Sequence, residues 1–300
     1  MEYSTIISLD VIDRTSKVWY NAGHEQQYEK ERRLFSVMKI ANFIVGAAFV
    51  AALFSANAGD VTGIRYSSPD RCLLDLRIPE KGGPFPVVVW FHGGGLEHGK
   101  RHFVPINGPI VQVAVGYRLF GTGASSGADC IEDAAAAVAW TFRNIASYGG
   151  DTNRIFVAGG SAGGYLTMMV GMAPKYLARH RIANTSIAGL VPLSGQATKH
   201  YNVRKYSGDN DAQFYPKIDE FAPLAWVGKD LPPILSVCGQ PPYEWKCRSE
   251  ENRFLIASCT ALGHKNARFV ELPFCNHDRA YTAGLPYLEM FVLGKLSDVK

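Results

Sequence analysis

Short apolar segments alternate with longer amphipathic ones along most of the chain. The apolar segments are β-branched or alternate with polar residues, as strands do, whereas the longer ones are Ala-rich or have helical periodicity. The predicted strands are 72–78, 87–91, 111–115, 155–158, 187–193, 234–237 and 269–272. The predicted helices are 134–145, 162–172, 249–262 and 285–293. This alternation predicts an α/β fold with a mostly parallel central sheet and helices on both faces.

One long stretch, 196–223, interrupts the alternation. It is polar and carries aromatic side chains, among them Tyr201, Tyr206, Phe214 and Tyr215. Long insertions in compact domains are usually functional or disordered. We interpret this one either as part of a lid over a site or as a surface excursion without a role.

Residues 38–58 have the order of a secretory signal peptide. A charged start at Met38-Lys39 precedes 15 nearly all apolar residues at 40–54, and Ala56-Asn57-Ala58 has the small-x-small pattern of a cleavage site. The apolar run is shorter than the roughly 20 residues that cross a bilayer. We therefore expect 1–37 to be a non-native leader, 38–58 to be removed, and 59–300 to be one secreted or periplasmic domain. An uncleaved signal anchor and a buried core helix are the alternatives.

Composition and charge narrow the protein class. With 47% hydrophobic and 19% charged residues, the chain is globular and neither disordered nor fibrous. A net charge of +4, with no Lys/Arg run longer than two, argues against nucleic-acid binding. All six Cys follow residue 58, so export would permit disulfides, although the sequence does not indicate their pairing. No pair has CxxC spacing, and neither a metal nor an organic cofactor is expected.

A GxSxG motif, Gly159-Gly160-Ser161-Ala162-Gly163, lies between a predicted strand and a predicted helix. This is the setting in which such a serine acts as a nucleophile. The serine sits at a sharp turn, so its neighbours must be small. The motif therefore nominates Ser161 as the nucleophile and the Ala162 N–H as a donor to an oxyanion.

The motif His92-Gly93-Gly94-Gly95 follows another predicted strand. Glycines let the main chain approach a substrate carbonyl, and their N–H groups can stabilise the charge that develops on its oxygen. We predict an oxyanion hole that contains Gly93 and Gly94 together with the residue after the nucleophile.

A base is expected late in the chain, after the acid and at the carboxyl end of a strand. Of the eight histidines, only His264 and His277 come late enough. His264 precedes the strand 269–272 and would lie at the wrong edge of the sheet. His277 follows that strand and is the predicted base.

The acid should follow the strand 234–237. The loop 239–246 contains one carboxylate, Glu244, which we predict to be the acid. Glu250 and Glu251 are alternatives, but both lie in the first turn of a predicted helix, where acidic residues are favoured without a catalytic role.

With these motifs, the chain resembles α/β-hydrolase-fold esterases of the hormone-sensitive-lipase-like and acetyl-esterase group, which includes bacterial acetylxylan and feruloyl esterase-like proteins. The resemblance covers roughly 61–295 and includes a YRL at Tyr117-Arg118-Leu119. There are two departures. Pro241-Pro242 occupies the region where the group commonly carries its acidic Asp, and Asp278 follows the histidine where Gly is usual.

The resemblance implies a secreted serine esterase, with acetyl or feruloyl esters of plant polysaccharide as the substrate class. The expected partner is a small or polysaccharide-linked ester substrate. Nucleic-acid binding is not expected, and neither is a stable membrane span in the mature chain. The alternatives are a peptidase or an arylformamidase on the same fold, and a non-catalytic binding protein that keeps it. The 242 residues of 59–300 offer little room for the extra domain of a prolyl-type peptidase.

Overall fold

The computed structural model describes residues 59–245 and 247–296. The proposed leader and signal peptide at 1–58 lie outside the described residues. Eight strands form one sheet in the order β1-β2-β4-β3-β5-β6-β7-β8. The strands are β1 Gly59–Arg65, β2 Leu73–Ile78, β3 Phe85–Phe91, β4 Val111–Val115, β5 Gly150–Gly160, β6 Gly189–Leu193, β7 Ile234–Gly239 and β8 Ala267–Leu272.

Six α-helices and three short 3₁₀ turns connect the strands within this part of the chain. The helices are α1 Gly127–Asn144, α2 Ala162–Met172, α3 Pro174–Ala178, α4 Tyr201–Tyr206, α5 Arg248–Ala261 and α6 His277–Val292. The 3₁₀ turns are Ile145–Tyr148, Asn184–Ser186 and Pro223–Trp226.

The predicted mostly parallel sheet is confirmed. β1 and β2 are antiparallel at one edge, and β2 also pairs antiparallel with β4. From β4 through β8 every neighbouring pair is parallel. The carboxyl ends of the parallel strands therefore meet along a single edge, where α/β proteins build their sites.

Two apolar cores lie on opposite faces of the sheet, because side chains alternate along each strand. In β3, Val87, Val89 and Phe91 join the core covered by α1, α2 and α5, whereas Val88 and Trp90 join the one covered by α6. The prediction of helices on both faces is thus confirmed, and the two layers hold the sheet edge rigidly.

Three of the differences from the predicted elements have a clear local cause. β1 was not predicted, because this edge strand is largely exposed and lacks an apolar run. α1 begins at Gly127 rather than 134, where a capping box of Ser126 and Asp129 satisfies its first N–H groups. α6 begins at His277 rather than 285, since the Asn276 side chain caps it and Pro286 is accommodated within the helix.

The segment 196–223 is ordered and packed. It contains α4, and its Gln196, Thr198, His200 and Arg204 are buried. It covers the carboxyl edge of the sheet beside the loop that follows β3. No helix among residues 59–245 and 247–296 is both long enough and apolar enough to cross a membrane.

Candidate active site

Ser161 lies at the sharp turn between β5 and α2. Its backbone has φ 55° and ψ −115°, a conformation that is rare for a residue with a side chain. Its N–H donates to the Leu193 carbonyl oxygen at 2.8 Å, which fixes the turn against β6. A Cβ added at Gly163 would lie 2.0 Å from the Phe91 carbonyl oxygen, so only glycine allows α2 to start this close to β3. The strained turn presents the Ser161 hydroxyl at the carboxyl edge of the sheet.

The three side chains nominated by the sequence form one hydrogen-bonded chain. Ser161 Oγ is 2.9 Å from His277 Nε2, and His277 Nδ1 is 2.7 Å from Glu244 Oε1. An ionised Glu244 can only accept, so Nδ1 donates to it and Nε2 is left to accept from the serine hydroxyl. The serine is therefore oriented to lose its proton to the imidazole.

Glu244 is held by more than the histidine. Its Oε2 accepts from Ser194 Oγ at 2.6 Å and from the Gly239 N–H at 3.0 Å, and its Oε1 accepts from the Trp245 N–H at 2.9 Å. Burial alone would raise the pKa of Glu244, but the hydrogen bonds from His277 and Ser194 lower the pKa to about 2. The carboxylate thus stays ionised and fixed at neutral pH.

A cavity of about 420 Å³ opens onto this chain of hydrogen bonds. Gly93 and Gly94 line it together with Ser161 and His277. Gly94 has φ +103°, and its carbonyl accepts the His98 N–H at 2.9 Å, so the glycine loop folds back on itself. Ala162 is fully buried at the first position of α2, where N–H groups lack helical acceptors. These N–H groups can hold a negatively charged oxygen beside the serine.

Three aromatic residues form the cavity walls, and the sequence did not single out two of them. Trp245 stacks on the His277 ring with centroids 4.4 Å apart and an 8° interplanar angle. Tyr201, from the segment noted above, lies 6.3 Å from Trp245 between ring centroids. Tyr281 packs against Gly160, and His102 Nε2 is 2.9 Å from its hydroxyl. Both unpredicted wall residues could have been proposed from their place in the sequence. Trp245 follows the acid directly, and Tyr281 lies one helical turn after His277.

Ser194 was also missed. It follows the end of β6 with a φ of 48° and donates to Glu244, which makes it a second anchor of the acid. Since it comes directly after a predicted strand, the rule that carboxyl ends carry functional side chains could have found it.

The alternative acids do not contact His277. Glu250 is exposed on α5, and Glu251 accepts hydrogen bonds from Ala197 and Thr198, which positions the segment after β6. Asp278 lines the cavity but makes no hydrogen bond to the imidazole. His264 is buried at the opposite edge, with Nε2 3.0 Å from the Leu231 carbonyl oxygen.

Neither a metal cluster nor a disulfide is present in the part of the chain that the structure describes. No three His, Cys, Asp or Glu residues there are grouped to hold a metal ion. All six cysteines are free thiols.

Comparison with known proteins gives relatives that are named esterases. Esterase LipC of Mycobacterium tuberculosis is 25% identical over 254 residues, which cover 71% of this chain and 58% of LipC. The isoprenylcysteine alpha-carbonyl methylesterase ICME of Arabidopsis thaliana is 28% identical over 231 residues, covering 67% of this chain and 53% of ICME. The chain thus spans little more than half the length of these two curated relatives.

Solved structures share the fold. The Est2 esterase of Thermogutta terrifontis with bound propionate has a TM-score of 0.63 at 21% identity, over 79% of this chain and 94% of that one. A truncated carbohydrate esterase from gut microbiota also has a TM-score of 0.63, at 17% identity, over 81% of this chain and 98% of that one. At these identities the likeness establishes the fold alone.

One family model covers the strands and glycine loops that hold Ser161, Gly93 and Gly94, and it ends before Glu244 and His277. The BD-FAE model matches residues 74–241, from β2 through the end of β7 and so including both glycine motifs. The match spans more than half of the 300 residues. With this match, the sheet order and the strained serine turn, the chain belongs to the BD-FAE family and has the α/β-hydrolase fold.

Proposed function

We propose that the protein is a serine hydrolase of carboxylic esters. The observation that carries this proposal is the continuous hydrogen-bonded chain from Ser161 through His277 to Glu244, placed at a cavity lined by Gly93 and Gly94. Relatives named as esterases support ester cleavage as the reaction.

The reaction would run in two halves. Ser161 Oγ attacks the ester carbonyl carbon while His277 Nε2 takes the hydroxyl proton, and the N–H groups of Gly93, Gly94 and Ala162 hold the oxyanion. The bond from carbon to the alcohol oxygen then breaks, and His277 returns its proton to that oxygen. A water molecule, deprotonated by His277, attacks the acyl-serine and releases the carboxylic acid, while the serine oxygen regains its proton.

Ser161→Ala tests this function. We expect ester hydrolysis, measured with p-nitrophenyl acetate on the full chain, to fall by several orders of magnitude, because the triad acts as a unit. A serine-directed phosphonate should label Ser161 and no other residue. Ser68→Ala is the matched control, since Ser68 is exposed in the loop between β1 and β2. Turnover by Ser161→Ala equal to that of the wild type would mean that a different residue is the nucleophile. Absence of turnover in the wild type would leave the non-catalytic binding protein as the alternative.

For the natural substrate, we propose acetyl or feruloyl esters of plant polysaccharide. The motif resemblance to acetylxylan and feruloyl esterase-like proteins and the signal-like order of residues 38–58 support this class. A panel of acetylated xylan, a feruloylated oligosaccharide, an aryl formamide and a prolyl peptide should give turnover only with the two esters. Preferred cleavage of either amide would favour the alternatives on the same fold.

Export of the protein is part of the same proposal. Expression of the full gene in a secreting bacterial host should give a mature protein whose first residue, by mass spectrometry, is at or near Gly59. A secreted protein that keeps residues 1–37 would refute the leader and signal-peptide assignment.

A further inference from the structure

A second cavity lies beside the one that contains Ser161. Its volume is about 510 Å³, and the two cavities share Glu97 and Tyr201 in their linings. The far wall comes from α4 and the loop after it, within the segment 196–223. A ligand held at Ser161 could therefore extend past Tyr201 into this second cavity.

Hydrogen bonds from a buried arginine hold the loop that forms the far wall. The Arg204 side chain, 2% exposed, binds Asp209 through Nε at 2.9 Å and Nη2 at 3.0 Å. Its Nη1 also donates to the Ala212 and Tyr215 carbonyl oxygens at 3.1 and 2.6 Å. These four hydrogen bonds of one guanidinium set the path of 209–215, and bidentate pairing of this kind gives geometric specificity. The wall is preorganised, as a binding site requires.

The charges on this lining are paired with one another. Lys205 Nζ is 2.9 Å from Glu97 Oε1, and Lys217 Nζ is 2.6 Å from Asp209 Oδ2 and 2.9 Å from Asp211 Oδ2. Hydrogen bonds from Arg204 and Lys217 hold the pKa of Asp209 well below its ordinary value. Among the described residues, each charged side chain of the lining has a partner of opposite sign. A charged ligand would have to displace one of these partners.

Several neutral hydrogen-bonding groups of the lining are left without a partner. The side-chain amides of Asn210 and Gln213 and the hydroxyl of Tyr201 line the cavity, and the described structure gives them no hydrogen-bond partner. Amides and hydroxyls both donate and accept, as the hydroxyl groups of a sugar do. The Tyr201 ring adds an apolar face beside them.

Two aromatic rings connect the imidazole of His277 to the edge of the second cavity. The imidazole of His277 must hand its proton to the alcohol oxygen, so the alcohol leaves past this ring. Trp245 stacks on His277, and Tyr201 lies next to Trp245 at the boundary of the second cavity. An alcohol group that extends from His277 along Trp245 and Tyr201 would therefore reach Asn210 and Gln213.

We propose that the second cavity binds the alcohol part of the substrate and selects a neutral, polyhydroxylated group, a sugar residue, through the side chains of Asn210 and Gln213. This inference rests on the proposed esterase function. It adds a subsite and two specificity-determining residues to it.

The test compares two acetyl esters that differ only in the alcohol. For the full chain and its Asn210→Ala, Gln213→Ala double variant, kcat/KM is measured with a methyl xyloside monoacetate and with p-nitrophenyl acetate. We expect the ratio of the first to the second to fall about tenfold, as for the loss of two neutral hydrogen bonds. Both residues are exposed, so the variant should fold, which circular dichroism checks. Asn266→Ala, in a polar cleft lined by Lys229 and His264, is the matched control.

Four outcomes separate the two proposals. If the double variant keeps the wild-type ratio of kcat/KM for the two esters, the subsite proposal is wrong. It is also wrong if the wild type prefers a charged ester, acetylcholine or a glucuronate monoacetate, to the neutral sugar ester. A wild type that hydrolyses none of these esters overturns the esterase function instead. In that case, saturation-transfer NMR with methyl xyloside still decides the subsite, because binding should be seen with the wild type and be lost in the double variant.

Discussion

At the scale of single residues, the acid of the site has an unusual position. Glu244 lies five residues after Gly239, in the loop that contains Pro241-Pro242, and its longer side chain spans the distance to His277 that an Asp there would not. We expect Glu244→Gln to lower kcat by about 10²–10⁴, because the neutral amide no longer stabilises the imidazolium or fixes the tautomer. The readout is steady-state hydrolysis of p-nitrophenyl acetate.

Glu250→Gln is the matched control for this variant. Glu250 is exposed in the first turn of α5 and makes no side-chain hydrogen bond in the described structure, so its loss should reduce kcat by less than about tenfold. An equal loss in the two variants would mean that Glu244 does not act through His277.

The pKa of Glu244 also predicts how stability depends on pH. The native pKa of about 2 lies below the ordinary value of 4.5, so the unfolded chain binds a proton first as pH falls. The stabilisation is complete above about 4.5 and is lost as pH falls toward about 2. The free energy of unfolding in urea is measured for the wild type and for Glu244→Gln at about pH 6 and about pH 3. The difference between the two proteins should be smaller at the lower pH. A constant difference would contradict the lowered pKa.

Most of the candidate site could be nominated from sequence, because its groups follow strands or belong to glycine motifs. Glu244 was found as the one carboxylate in its loop. Ser194 was not nominated. Its place after a predicted strand made it a candidate, but its hydrogen bond to Glu244 depends on a positive φ that leaves no motif. Tyr201 was noted only as one aromatic residue in a long polar insertion, and three-dimensional folding brings it to the cavity.

At the scale of elements, the close approach of β3, β5 and α2 determines where the serine lies. A Cβ at Gly163 would meet backbone atoms of Phe91 and His92 at 2.0 to 2.8 Å, and backbone cannot move aside as a flexible side chain can. We expect Gly163→Ala to lower the free energy of unfolding by about 3 kcal/mol or more. Gly228→Ala is the control, since nothing lies within 4 Å of its Cβ position, and it should change stability little. Equal stability of the two variants in urea would show that α2 can shift away from β3.

The elements that the sequence predicted well are those with buried, continuous apolar runs. All seven predicted strands are present. β3, β4, β6 and β7 are buried along their whole length, and strands covered on both faces need such runs. β2 was predicted from its alternation of apolar and polar residues instead. The helix starts were wrong where capping, rather than hydrophobic periodicity, decides them. The final helix was expected to start near 285, but the cap at Asn276 begins α6 at His277 and so places the base in the first turn of a helix.

At the scale of the whole molecule, the packed core governs the cysteine chemistry. Cys72, Cys130, Cys238 and Cys259 are 0% exposed, whereas Cys247 is exposed and Cys275 is partly so. Burial raises the pKa of Cys72 and of Cys130 to about 12, so these thiols stay protonated and unreactive near neutral pH. The fold itself, rather than a disulfide network, would then stabilise the protein even after export.

Alkylation tests this directly. Iodoacetamide should label only Cys247 and Cys275 in the native protein, and all six thiols after unfolding in guanidinium without reductant. Mass spectrometry of protein recovered from a secreting host gives both counts. Native labelling at the four buried positions would mean that the core opens easily. Fewer than six labels after unfolding would reveal a disulfide and would require the chain around it to rearrange, since the structure has every cysteine unpaired.

Because stability here comes from burial, a reducing agent should leave the thermal midpoint unchanged, and a fall in that midpoint would point to the same disulfide.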